Sequence, residues 1–170
     1  DYAALHKTKE LTTTGGAYVM GYWGMGISQS DQYCEIYDHF MEEYDRGKPV
    51  SDIVADLLEE YTEEFEPNRG ILHDVYFAIG KAEWMCGGIS DAIYETIASI
   101  INSGQNIEFL RDLGASEHDL KLRKKNLDHF LASLSVARGK IKKRKILLSS
   151  LLKALSTKAD TADFTPSGTV

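Results

Sequence analysis

From residue 31 onward, apolar side chains recur every three or four positions, which is the spacing of residues on one face of an α-helix. This spacing predicts a first helix over about residues 31–45 and a second helix that starts at Ser51. Ser28 or Ser30 can cap the first helix and Ser51 the second, because a serine side chain accepts hydrogen bonds from the free N–H groups of a first turn. The apolar stripes comprise Tyr33, Ile36, Tyr37, Phe40, Met41 and Tyr44, and then Ile53, Val54, Leu57, Leu58, Tyr61 and Phe65.

A third helix, over about residues 70–86, has apolar side chains around most of its circumference. A helix of this kind is normally buried on all sides, so we expect it to be the central element of the fold. Gly87 and Gly88 are expected to end it. Its apolar residues are Ile71, Leu72, Val75, Tyr76, Phe77, Ala78, Ile79, Ala82, Trp84, Met85 and Cys86.

Shorter amphipathic segments follow the third helix. They are a fourth helix capped by Ser90 and stopped by Gly104, a fifth segment at about 107–113, a sixth helix from Ser116 to about Val136, and a seventh through Leu147 and Leu155. No stretch alternates apolar and polar residues as a β-strand would. The sequence therefore predicts an all-α protein, a compact bundle of six to seven helices around the apolar central helix at about 70–86.

Composition divides the chain into three parts. Residues 1–19 are polar and include Thr-Thr-Thr-Gly-Gly, which is typical of a flexible N-terminal extension. Residues 20–139 form the predicted helical domain. Residues 140–170 contain a basic run, an amphipathic helix and a polar tail that we expect to be loose.

The net charge of −7 is distributed unevenly along the chain. Residues 1–115 contain 7 Lys or Arg and 21 Asp or Glu, a net charge of −14, whereas residues 116–170 contain 12 and 5, a net charge of +7. Such a distribution bears on the choice of partner and not on the fold.

Hydropathy and cysteine content predict the cellular compartment of the protein. No apolar run approaches the roughly 18 residues that a membrane-spanning helix needs, so we expect no membrane insertion. The two cysteines, Cys34 and Cys86, lie within predicted helices and outside any disulfide framework. Reduced thiols of this kind predict a cytoplasmic protein.

Three charged residues interrupt the apolar third helix, namely Asp74, Lys81 and Glu83. A buried charge needs a partner, so these residues either pair with a neighbouring helix for structure or line a pocket. The candidate pocket comprises Trp23, Asp74, Lys81, Glu83 and Trp84. Trp23 can equally serve as an apolar anchor that the surrounding glycines allow to fold back against the bundle.

Metal and cofactor chemistry have little support in the sequence. Glu35, His39 and Glu42 share one helix face, but their neighbours place that face toward solvent. Neither cysteine has a Cys or His at zinc-binding spacing. The glycines at 21, 24 and 26 lack the preceding strand and the following Gly-Lys-Ser/Thr of a phosphate loop. We therefore predict no metal and no cofactor.

Two charged surfaces are candidates for binding a macromolecule. The first is the acidic outer side of the first two helices, with candidate residues Glu35, Asp38, Glu42, Glu59, Glu60 and Glu63. The second is the basic run of Lys140, Lys142, Lys143, Arg144 and Lys145, which can contact nucleic acid. A solvated tail, or docking of this run onto the protein's own acidic side, accounts for it equally well.

Residues 20–27, Met-Gly-Tyr-Trp-Gly-Met-Gly-Ile, followed by Ser30-Asp31, resemble the opening of an uncharacterised bacterial family, domain of unknown function 4259 and its relatives. Residues 76–84 are similar to that family's Trp-Phe-Ala-x-Ala-Lys-Ala-Gln-Trp segment, with Gly80 for the usual Ala and Glu83 for Gln. The resemblance covers about residues 20–145. It implies a bacterial cytosolic domain, and the family has no established activity to carry over.

These observations favour a non-enzymatic protein-binding domain, for example an immunity or antitoxin-like inhibitor of a basic partner in a bacterial conflict system. An alternative is an enzyme or small-ligand-binding protein with its site near Trp23, Asp74, Lys81 and Glu83. A further alternative is a nucleic-acid binder that uses the basic run 140–145.

Overall fold

The computed structural model describes residues 24–65 and 69–145, and the side chains of all of these except residues 64, 65 and 69. Six helices occur in this part of the chain, and no β-strand accompanies them, which confirms the all-α fold class. The helices are α1 (Asp31–Asp45), α2 (Val50–Phe65), α3 (Arg69–Cys86), α4 (Asp91–Asn102), α5 (Gln105–Asp112) and α6 (Glu117–Leu134). The predicted N-terminal extension, Trp23 and the predicted seventh helix lie outside the described residues.

Serine side chains begin two of the helices as predicted. The Ser30 hydroxyl accepts a hydrogen bond from the Tyr33 N–H at 3.1 Å, and the Ser116 hydroxyl accepts one from the Asp119 N–H at 3.2 Å. The prediction that Ser51 caps α2 is wrong. The Pro49 carbonyl accepts the first hydrogen bonds of α2, so the helix begins at Val50 and Ser51 lies within its first turn.

Helix α3 lies between two groups of helices. On one side it packs against the hairpin of α1 and α2, and on the other against α4, α5 and α6, and no helix of the first group contacts one of the second. Its side chains at Val75, Phe77 and Ile79 are completely buried. The sequence predicts an apolar α3, but the helix also buries the polar side chains of His73, Asp74 and Glu83.

Two glycines of α3 allow neighbouring helices to approach its backbone closely. A Cβ at Gly80 would lie 2.3 Å from the terminal methyl of Ile97 in α4, and a Cβ at Gly70 would lie 2.1 Å from the ring of Phe109 in α5. Gly80 therefore has a packing role, because Ile97 occupies the space that a side chain would need.

The loop before α1 packs against α5 and the start of α6. Met25 is buried with Leu110, Ala115 and Leu120 in a small second core. The glycines of this loop make room for the Gln29 side chain, which accepts a hydrogen bond from the Gly26 N–H at 2.6 Å. Among the described residues, Met25 is therefore the apolar anchor of the opening motif.

No helix in the described part of the chain is long and apolar enough to cross a membrane.

Replacement of Ile79 by Ala tests the importance of α3 to the core. Ile79 is completely buried, so Ile79→Ala should lower the free energy of unfolding by about 2–5 kcal/mol, through lost transfer energy and a residual cavity. Urea unfolding monitored by circular dichroism measures the change. Leu122→Ala, at a side chain that is 45% exposed, is the control and should cost less than about 1 kcal/mol. Equal effects of the two substitutions would contradict the assignment of α3 to the core.

Candidate functional site

The six acidic residues predicted to bind a partner are all exposed, on α1 and α2. We call this set, Glu35, Asp38, Glu42, Glu59, Glu60 and Glu63, the acidic face. The two helices contact each other, and the Tyr61 hydroxyl of α2 donates a hydrogen bond to Glu35 of α1 at 3.4 Å. Residues 31–65 contain 12 Asp or Glu against 2 Lys or Arg, so this hairpin carries a strong negative potential.

The few cations of the hairpin lie at its turn. Arg46 pairs with Glu43 at 2.5 Å and approaches Glu42 at 3.8 Å, while Lys48 pairs with Glu43 at 3.4 Å and also with Asp56. These pairs hold the pKa of Glu43 below its usual value, mainly through the hydrogen bond from Arg46. Among the described side chains, the acids away from the turn have no lysine or arginine partner.

The predicted pocket residues of α3 face different neighbours. Asp74 lies against Arg123 of α6, with 3.6 Å between Oδ1 and Nη2. Glu83 accepts hydrogen bonds from the Ser90 N–H at 3.2 Å and the Ser90 hydroxyl at 3.0 Å. Glu83 is nine positions after Asp74, which places the two about 180° apart around a helix of 3.6 residues per turn.

Glu83 has a structural role at the start of α4. Ser90 occupies the cap position, but its hydroxyl donates to Glu83 and makes no hydrogen bond within α4. The prediction that the Ser90 side chain caps α4 is therefore wrong, and Glu83 instead holds Ser90 in place at the start of the helix. Burial raises the pKa of Glu83, and the hydrogen bonds from Ser90 act in the opposite direction.

Lys81 and Trp84 form a separate cluster at the C-terminal end of α3. The Lys81 ammonium lies 4.4 Å from the centre of the Trp84 ring, and the Arg138 guanidinium lies 5.2 Å from it. The Trp84 indole N–H donates to the Val136 carbonyl at 2.7 Å. Burial and the nearby Arg138 lower the pKa of Lys81. The candidate pocket is thus divided between two ends of α3, and Trp23 lies outside the described residues.

Arg123, which the sequence did not single out, joins α6 to α3, α5 and the loop before α1. It is completely buried, although it is an arginine. Besides Asp74, its Nε donates to the Asn106 side chain of α5 at 2.9 Å and its Nη1 donates to the Gly26 carbonyl at 2.8 Å. Its guanidinium also lies 5.9 Å from the Phe77 ring. A signal was present, because Arg123 interrupts the apolar stripe of α6 between Leu120 and Leu127.

Arg123 fixes the protonation of a second buried residue, His73. Because a guanidinium only donates, Asn106 must present its oxygen to Arg123 and its NH2 group to Nδ1 of His73, 3.2 Å away. Nδ1 is therefore an acceptor, and the ring proton lies on Nε2. Burial, reinforced by the charge of Arg123, lowers the pKa of His73 to about 4. We call Arg123, Asn106 and His73 the polar relay.

The basic run packs in part onto the acidic hairpin. The Arg144 guanidinium donates to the carbonyls of Tyr44 and Lys48, the latter at 2.9 Å, and lies 4.1 Å from the Tyr44 ring. The backbone N–H of Lys145 donates to Asp45 at 2.8 Å, and that of Lys142 donates to the Met85 carbonyl at 2.8 Å. A cation at the last carbonyls of α1 also complements the helix dipole.

The remaining candidates for chemistry are the two cysteines and a metal site. Cys34 and Cys86 are both free thiols. Burial raises the pKa of each, so both are held as thiols. Among the residues that the structure describes, no group of three His, Cys, Asp or Glu side chains is arranged to hold a metal ion.

The neutral state of His73 predicts a specific pH dependence of stability. Its pKa is lowered in the folded protein, so as pH falls below about 6.5 the unfolded chain binds a proton that the folded protein excludes, and stability is lost. His73→Asn keeps an acceptor for Asn106 and removes the titration. The difference in unfolding free energy between wild type and His73→Asn should therefore shrink by about 2 kcal/mol from pH 7 to pH 4.5.

Urea unfolding of both proteins at a series of pH values measures this difference. His118→Asn, at an exposed histidine, is the control and should reproduce the pH profile of the wild type. A difference between wild type and His73→Asn that stays constant with pH would show that His73 is not held neutral.

The contacts of Arg144 predict what holds the basic run in place. Arg144→Met removes the donors to Tyr44 and Lys48, so the amides of Lys142 and Lys145 should exchange with solvent at least about tenfold faster. Hydrogen exchange followed by NMR measures these two amides directly. Lys143→Met, at an exposed side chain, is the control. Unchanged exchange in Arg144→Met would show that other contacts hold the segment.

Comparisons with family models, with curated proteins and with solved structures found no match to this chain. The resemblance of residues 20–145 to the uncharacterised bacterial family stays a prediction.

Proposed function

We propose that this protein is a non-enzymatic binding domain that recognises a basic protein through its acidic face. In biological terms, it would act as an immunity or antitoxin-like inhibitor in the cytoplasm of a bacterium. The observation that carries the proposal is the exposure of all six acidic-face residues on one helical hairpin.

The distribution of countercharge supports this use of the hairpin. Its two basic residues, Arg46 and Lys48, lie at the turn between the helices and neutralise acids there. In the described residues, Asp38, Glu59 and Glu63 make no ion pair and remain available to a partner. A surface with one predominant sign of charge accelerates encounter with a partner of opposite sign and disfavours like-charged competitors.

The two alternatives have weaker support. A small-ligand site made from Asp74, Lys81, Glu83 and Trp84 would need these groups to converge, and they contact different neighbours. A nucleic-acid site at 140–145 would have to use the exposed Lys140, Lys143 and Lys145, since Arg144 already contacts α1 and the loop after it.

Reversal of charge on the acidic face tests the proposal. The triple variant Asp38→Lys, Glu59→Lys and Glu63→Lys changes three exposed acids outside the turn and should leave the fold intact. Cross-linking of the tagged full chain in its host cells identifies the partner, and stopped-flow mixing of the purified proteins measures association. We expect the variant to associate at least about tenfold more slowly, with a weaker dependence on salt.

A second triple variant controls for net charge. Glu95→Lys, Glu117→Lys and Asp128→Lys makes the same change in charge on α4 and α6, across α3 from the acidic face. It should retain most of the association rate. Equal slowing in both variants, or no cross-linked basic protein at all, would refute the proposal. A cross-linked nucleic acid would move the site to 140–145 and would give a log affinity that falls with log salt by about 0.9 for each phosphate contacted on duplex DNA.

A further inference from the structure

A cavity of about 420 Å³ opens between the start of α3 and helix α5. It lies on the far side of α3 from the hairpin of α1, and its lining includes His73, Phe109, Glu108 and Asp112. A space of this size accommodates a small organic molecule.

His73 contributes a hydrogen-bond donor of fixed direction to this cavity. His73 is 4% exposed, and its Nδ1 accepts a hydrogen bond from the Asn106 amide. The polar relay therefore leaves the proton on Nε2, which makes no hydrogen bond with the described residues. His73 lines the cavity, so an acceptor on a ligand can take this donor in place of solvent water.

The wall of the cavity is an aromatic ring held in place from two sides. Phe109 lies in the space that Gly70 leaves open on α3, where any Cβ would clash with the ring. Its ring also packs edge-to-face against His73, with 6.2 Å between the ring centres and 82° between the planes. A fixed aromatic face suits a flat or cationic group.

Two carboxylates complete the lining. Glu108 and Asp112 are one turn apart on α5, so their side chains lie on the same side of the helix. Arg111 pairs with Glu108 and, at 3.2 Å, with Glu117, which partly neutralises Glu108. Asp112 has no ion pair with any described side chain and provides the main negative charge at the opening.

We propose that this cavity binds a small organic cation, an ammonium or guanidinium group that carries a neighbouring carbonyl oxygen. The carbonyl accepts from Nε2 of His73, the cation pairs with Asp112, and the connecting atoms pack on Phe109. The same chemistry occurs in a free amino-acid derivative and in a basic residue of a peptide. The site is independent of the acidic face, so either proposal can fail without the other.

Three probes test the ligand chemistry and its source. N-acetyl-arginine amide supplies a guanidinium with carbonyl groups, and N-acetyl-citrulline amide is its neutral counterpart of the same shape. A peptide with one arginine between pairs of alanines presents the same group within a chain. Titration of the full-length protein, followed by NMR of the His73 ring nitrogens and of the α5 amides, reports binding at the cavity.

We expect the arginine amide to bind with a dissociation constant near the millimolar range, typical of a ligand of this size, and the citrulline amide at least about fivefold more weakly. Tighter binding of the peptide than of the free amide would assign the ligand to a protein partner, and the reverse order would assign it to a free metabolite.

Two variants separate specific binding from general charge attraction. Asp112→Asn, at an exposed side chain, should weaken binding of the arginine amide at least about threefold, and His73→Asn, which lacks the Nε2 donor, should do the same. Asp91→Asn, an exposed acid of α4 outside the cavity, should bind as the wild type does. The inference is overturned if Asp112→Asn binds the arginine amide as tightly as the wild type does, or if the citrulline amide binds as tightly as the arginine amide. It is also overturned if the NMR chemical-shift changes occur at residues outside the cavity.

Discussion

The placement of one buried guanidinium is the constraint on which much of this structure depends. Arg123 on α6 contacts Asp74 of α3, Asn106 of α5 and the Gly26 carbonyl of the loop before α1. Removing an arginine from water costs several kcal/mol, and only well-placed acceptors and a countercharge offset that cost. Helices α3 and α5 and the loop can therefore pack around α6 only in positions that supply those acceptors.

Without the hydrogen bonds of Arg123, apolar packing alone would restrain α5 and the loop before α1 less. The main core fixes α1, α2, α4 and the C-terminal half of α6 against α3 through large aliphatic and aromatic side chains. The second core, which contains Met25, Leu110 and Leu120, is small and lies at the edge of the fold. Directional hydrogen bonds from Arg123 set the register of this smaller unit, as buried polar groups do in some other proteins. The same bonds orient Asn106 and, through it, the ring of His73.

The sequence predicted the helical part of the fold well because local signals agree with the tertiary packing there. The stripe from Tyr33 to Tyr44 and the cap at Ser30 located α1 at its observed limits. The start of α2 was misplaced because Pro49 supplies the first acceptor and Ser51 does not.

The candidate sites were harder to predict. Exposure of the acidic face follows from its position opposite the apolar stripes, so it could be predicted from one helix at a time. The relation of Asp74 to Arg123 could not, because these residues are 49 positions apart in the sequence and meet only when α6 packs on α3. An arginine in the stripe between Leu120 and Leu127 predicts that a buried acceptor exists, but it does not identify that acceptor.

A double-mutant cycle between Arg123 and Asp74 tests the central role of this pair most directly. Arg123→Met should lower the free energy of unfolding by about 3–5 kcal/mol, because it removes the countercharge of a buried carboxylate. Asp74→Asn alone should cost at least about 2 kcal/mol, because it leaves the Arg123 guanidinium buried without a countercharge. Added to Arg123→Met it should cost little more, which gives a coupling energy of at least about 2 kcal/mol in urea unfolding. If the two single effects add to within about 0.5 kcal/mol, the residues act independently, and the account of Arg123 as the organising contact is contradicted.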